Sequence, residues 1–76
     1  MRFVVLAFES SAPSDVLLAP PETGTLVVDG AVHSAGFDGP AAALFGFSVV
    51  DAGSLDDILD ALPPVGTFEV RPLEVT

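Results

Sequence analysis

His33 is the only histidine in the chain, and imidazole is the side chain that titrates nearest to physiological pH. Asp38 follows five residues later, so the two residues are candidate catalytic acid and base. In an extended segment, residues of opposite parity point to opposite faces, and the pair converges only if the bend at Gly36 or a second subunit redirects one side chain. We favour the plainer interpretation, in which His33 is a hairpin residue and Asp38 forms a turn.

The carboxylates are numerous, 11 in all, but their spacing does not form a ligand motif. We interpret three of them, Asp56, Asp57 and Asp60, as parts of a helix and not as a metal site. In that interpretation they cap the helix, complement its dipole and form its solvent-exposed face. The chain also lacks a nucleophile elbow, a phosphate-binding loop and a dinucleotide fingerprint. We therefore expect neither a metal nor a cofactor.

The charge balance excludes several classes of partner. With no lysine and a formal net charge of -9, the chain would be repelled by phosphate backbones and by anionic lipid headgroups. The longest mostly apolar run, at residues 41–50, is far shorter than the roughly 20 residues that span a bilayer. We expect a cytoplasmic protein that binds neither nucleic acid nor membrane.

Residues 1–8 are rich in β-branched and aromatic side chains and predict a strand. One face carries Phe3, Val5 and Ala7, and the other carries three further apolar side chains, Val4, Leu6 and Phe8. A chain of this length buries only about 60% of its unfolded surface when it folds alone. Both faces of this strand need cover, and we expect a second copy of the chain to supply it.

The other elements follow from local signals. In residues 11–24, Ser14 and the four residues after it predict at most one or two helical turns before Pro20 and Pro21. Asp29 and Gly30 predict a type I′ hairpin between residues 25–28 and 31–35. Residues 44–51 and 67–73 predict two more strands. Residues 54–62 predict a helix with the apolar stripe Leu55, Ile58, Leu59 and Leu62.

Several short motifs occur in a fixed order along residues 24–73. They are the DG hairpin, DGP at 38–40, GF at 46–47, SLDD at 54–57 and EVRP at 69–72. Together they resemble the YCII-related proteins, in particular the DGPF branch. The resemblance implies a single YCII-like domain over residues 1–76, of the α+β class, with a ferredoxin-like antiparallel sheet and one main helix. It also implies pairing of two copies as a dimeric α/β barrel.

The chain departs from that family at two places. Ala41 stands where the DGPF motif has Phe, and the family's long first helix is reduced to residues 11–24. Some YCII-like enzymes resemble one another in using a histidine and aspartate pair whose histidine comes from that helix. This chain has no histidine there, so the resemblance supports the fold and the assembly more strongly than it supports catalysis.

The only two Lys or Arg residues are Arg2 and Arg71. In a ferredoxin-like sheet the first and last strands are antiparallel neighbours, which would bring Arg2 near Arg71. Two guanidinium groups together could bind a substrate carboxylate. We favour the alternative that they pair with Glu69, Glu74 or a carboxylate of a partner chain.

These observations lead to two functional hypotheses of different classes. The favoured one is a small acidic homodimeric module for ligand binding or protein interaction, holding a small apolar or carboxylate ligand and without catalysis of its own. The alternative is a cofactor-free proton-transfer enzyme, of isomerase, cyclase or lyase type, that acts on a small cyclic or aromatic substrate. In that enzyme His33 and Asp38 would be the acid and base.

Overall fold

The computed structural model describes residues 1–8, 14–33 and 39–74. The elements in chain order are β1 (Arg2–Phe8), β2 (Val16–Leu17), a 3-10 turn (Pro21–Thr23), β3 (Leu26–Val28), β4 (Ala31–His33), β5 (Leu44–Asp51), α1 (Leu55–Ala61) and β6 (Thr67–Pro72). Four strands form an antiparallel sheet in the order β2-β5-β1-β6. The fold is α+β with one helix, as predicted, and it is compatible with a ferredoxin-like fold.

The central strand β1 gives the sheet two different faces. Phe3, Val5 and Ala7 are buried on the side where α1 packs, which we call the helix face. On the opposite side, which we call the open face, none of the described side chains is buried. The open face consists of Arg2, Val4, Leu6 and Phe8 of β1, Val16 of β2, Phe47, Val49 and Asp51 of β5, and Thr67, Glu69 and Arg71 of β6.

The helix α1 begins where its sequence predicts. The Oγ of Ser54 accepts a hydrogen bond from the backbone N–H of Asp57 at 3.4 Å, which satisfies one of the free amides of the first turn. Only Ile58 of this helix is buried, in a cluster with Phe3 and Val5. Leu55 and Leu59, which the apolar stripe also assigns to the core, are about half exposed.

Replacing Ser54 with Ala is expected to lower the free energy of unfolding by about 1 kcal/mol, because the Asp57 amide loses its acceptor. Ser54→Asp keeps a side-chain acceptor at the cap and is the matched control. Urea denaturation followed by circular dichroism measures both variants. Equal stability of Ser54→Ala and Ser54→Asp would show that the cap contributes nothing here.

The predicted hairpin is confirmed. Asp29 and Gly30 both have positive φ, 49° and 84°, as a type I′ turn requires, and they join β3 to β4. Within the described ranges these two strands pair only with each other, so the hairpin is a separate two-stranded sheet and does not extend the main one.

The helical turn predicted after Ser14 is wrong. Val16 and Leu17 form the short strand β2, which pairs with Phe47 and Gly46 of β5. The backbone N–H of Leu18 extends this pairing with a bond to the Phe45 carbonyl at 2.9 Å. In residues 14–24 the structure contains the 3-10 turn but no α-helix, so α1 is the one helix on the helix face within the described residues. No helix in the described ranges is long and apolar enough to cross a membrane.

Candidate functional site

A cleft of about 510 Å³ opens on the helix face, between α1 and β5, with Asp15, the residue before β2, at its side. Its floor is formed by Val5 and Val50 of the sheet, and its wall by Ile58, Ala61 and Leu62. Ile58 of α1 packs with Phe3 and Val5 of β1, and the cleft opens beside this cluster. Its volume falls within the range of about 300–1,000 Å³ that is usual for ligand sites.

Ser48 is the buried polar residue of the cleft, with 8% of its surface exposed. It lies on β5 directly opposite Val5, on the helix face. Its Oγ accepts a hydrogen bond from the backbone N–H of Asp15 at 2.9 Å. This bond fixes the residue before β2 to the sheet and holds Asp15 at the side of the cleft.

Two carboxylates flank the cleft without a cationic partner in the described part of the chain. Asp15 stands on the strand side and Asp57 on the helix side. Asp51, the last residue of β5, also lines the cleft, but its side chain belongs to the open face, where its carboxylate pairs with the guanidinium of Arg2 at 3.4 Å. The site therefore combines an apolar floor, one buried hydroxyl and an acidic rim.

The two arginines lie where the sheet order predicts. β1 and β6 are antiparallel neighbours, with Val4 opposite Arg71, and both arginines belong to the open face. Each is next to a carboxylate: Arg2 Nε is 3.4 Å from Asp51 Oδ1, and Arg71 Nε is 2.7 Å from Glu69 Oε2. Glu69 is a partner that the sequence suggested, whereas Asp51 is not. Binding of a substrate carboxylate by these arginines stays a prediction.

His33 is the last residue of β4, opposite Leu26, and it is exposed. It does not line the cleft. Its proposed partner Asp38 lies outside the described residues, so the His33 and Asp38 pair stays a prediction.

The sequence reasoning did not select the cleft residues Asp15, Ser48 and Asp57 as a site. One signal for Ser48 was present: it is the polar residue at an inward position of β5, between Gly46 and Val50. A hydroxyl at such a position must find a hydrogen-bond partner when the strand is buried. The partner, Asp15, is 33 residues away, and local patterns do not reveal it.

Comparison of the chain with family models, curated proteins and solved structures gave no match. The resemblance to the YCII-related proteins therefore depends on the short motifs of residues 24–73, and it stays an expectation.

Proposed function

We propose that this chain is a small acidic homodimeric binding module of the YCII-like type, acting in the cytoplasm and without catalysis of its own. The open face is the observation that carries the proposal. Val4, Leu6 and Phe47 form its centre and none of them is buried, while Val49 is 49% exposed. A contiguous apolar sheet face of this kind is typical of an interaction surface.

The surface area of the chain supports a partner of substantial size. The accessible surface is 5411 Å², whereas a compact monomer of 7.7 kDa exposes about 4,300 Å². The radius of gyration of 14.2 Å, against roughly 11 Å for a compact chain of this length, supports the same conclusion.

The charges of the open face suit pairing with a second copy. In a twofold dimer the same patch meets itself, so a patch with both signs of charge is self-complementary. Glu69 and Arg71 stand on β6 at the edge of the apolar centre, so Arg71 of one copy can pair with Glu69 of the partner. Two sheets that pack in this way form the dimeric α/β barrel.

A binding role is favoured over proton transfer by the chemistry of the cleft. Its described lining offers carboxylates and a hydroxyl around an apolar floor, and His33 is not among these residues. Such a lining provides affinity and orientation for a ligand.

Light scattering on a sizing column tests the assembly. The chain is expected to elute at twice its 7.7 kDa mass at micromolar concentration. Val49→Asp would bury a carboxylate in the interface and is expected to weaken association roughly 100-fold or more. Val65→Asp, at a position that is 79% exposed in the loop before β6, is the matched control and should leave the dimer intact. A stably folded wild-type monomer would overturn the proposal.

A further inference from the structure

In the described part of the chain, the helix face of the four-stranded sheet carries one helix, α1. Neighbouring strands stand about 4.8 Å apart, so a four-stranded sheet is wider than one helix, which is about 10 Å across. Ile58 of α1 forms a cluster with Phe3 and Val5 of β1, and Phe68 and Val70 of β6 and Val50 of β5 pack against this cluster. The cleft lies beside α1, over Val5 of β1 and over Ser48 and Val50 of β5, with Asp15, the residue before β2, at its side. A second helix laid beside α1 would complete this layer.

The lining of the cleft suits the apolar side of such a helix. Val5 and Val50 form the floor, and Ile58 and Leu62 form the wall against α1. An amphipathic helix binds a groove of this kind through anchors at positions i, i+3 or i+4, and i+7.

The charges at the rim of the cleft indicate which residues should flank the apolar side of such a helix. Asp15 and Asp57 stand on opposite sides of the apolar floor, and in the described ranges neither has a salt-bridge partner. A second copy of this chain, with a net charge of -9, would bring like charges to this rim. A segment with Lys or Arg on either side of its apolar stripe would bring the opposite charge to it.

We infer that the cleft binds a basic amphipathic helix of a partner protein. The inference rests on the binding role proposed above but not on the homodimer, because the cleft and the open face lie on opposite sides of the sheet.

The probe is a synthetic four-turn peptide with leucines along one face, lysines flanking them and alanines elsewhere. Its matched control carries Glu in place of every Lys. Each is titrated into the full isotope-labelled chain at about 0.15 M salt, where long-range attraction is screened. The Lys peptide is expected to give saturable shifts of the amides around the cleft, including those of Ser48, Val50 and Ala61. The Glu peptide is expected to bind at least tenfold more weakly.

Two double variants distinguish the effect of the rim carboxylates on peptide binding from the effect of the net charge of the chain. Asp15→Asn with Asp57→Asn removes the rim charges and is expected to weaken binding about 5- to 10-fold. Asp56→Asn with Asp60→Asn makes the same change in net charge on α1 outside the cleft, and it should change affinity less than twofold.

A second matched pair tests the groove itself. Ala61→Phe adds bulk at the wall of the cleft and should abolish peptide binding. Leu59→Phe adds bulk to the same helix at a residue that does not line the cleft, and it should leave binding unchanged.

Three results would overturn the inference. The first is an equal loss of affinity in both double variants, which would mean general attraction between a cationic peptide and an acidic protein. The second is peptide shifts confined to the open face. The third is concentration-dependent shifts around the cleft without peptide, which would identify a second copy as its occupant. Failure of the homodimer is distinguishable, because a monomeric Val49→Asp variant should still bind the Lys peptide through the cleft.

Discussion

Ile58→Ala is expected to lower the free energy of unfolding by about 2 to 5 kcal/mol. Ile58 is 7% exposed and is the buried residue of α1, in a cluster with Phe3 and Val5. Its truncation leaves a cavity between the helix and the sheet, and no other residue of α1 belongs to the described cluster. In a core this small, such a loss is a large part of the total stability.

Leu59→Ala is the matched control. Leu59 is one position along the same helix and is 49% exposed. It therefore has less apolar contact to lose, and we expect a destabilisation of less than about 1 kcal/mol. Urea denaturation of both variants at one protein concentration gives the comparison. Similar losses would mean that Leu59 is covered in solution, and the assignment of Ile58 as the main helix anchor would then be wrong.

Local patterns in the sequence predicted most of the elements because each signal acts over a few residues. The structure has β1, the Asp29 and Gly30 turn and the Ser54 cap where the local patterns predict them. The apolar stripe predicted α1 as a helix. It did not predict which stripe residues are buried. Ile58 is buried and Leu59 is half exposed because of the way the helix is oriented on the sheet, which the stripe does not determine.

The remaining features depend on contacts between distant parts of the chain. Val16 is extended because the edge of β5 offers it backbone hydrogen bonds, whereas the sequence around Ser14 also suits a helical turn. The bond from Asp15 to Ser48 joins residues that are 33 positions apart. The cleft depends on both the position of β2 and the placement of α1. The site could therefore be recognised only after the fold was known.

Gly46→Ala is expected to detach β2 from β5 and to lower the free energy of unfolding by about 1 to 3 kcal/mol. Gly46 is buried on the helix face of β5. A Cβ added there would lie 2.6 Å from the carbonyl oxygen of Val16 and 2.8 Å from the Cβ of Ser14. The closest of these atoms belongs to the backbone, so β2 itself must move. Hydrogen exchange of the Leu18 amide, which bonds the Phe45 carbonyl in the wild-type chain, reports the separation directly.

Gly53→Ala is the control for the loss of a glycine. The nearest neighbour of its added Cβ is Asp57 Oδ2 at 3.3 Å, the end of a flexible side chain that can turn aside, so we expect a change within about 0.5 kcal/mol. If Gly46→Ala kept both wild-type stability and a protected Leu18 amide, β2 could not lie this close to β5. Because Asp15 precedes β2 and forms the strand side of the cleft, Gly46→Ala should also weaken binding of the Lys peptide.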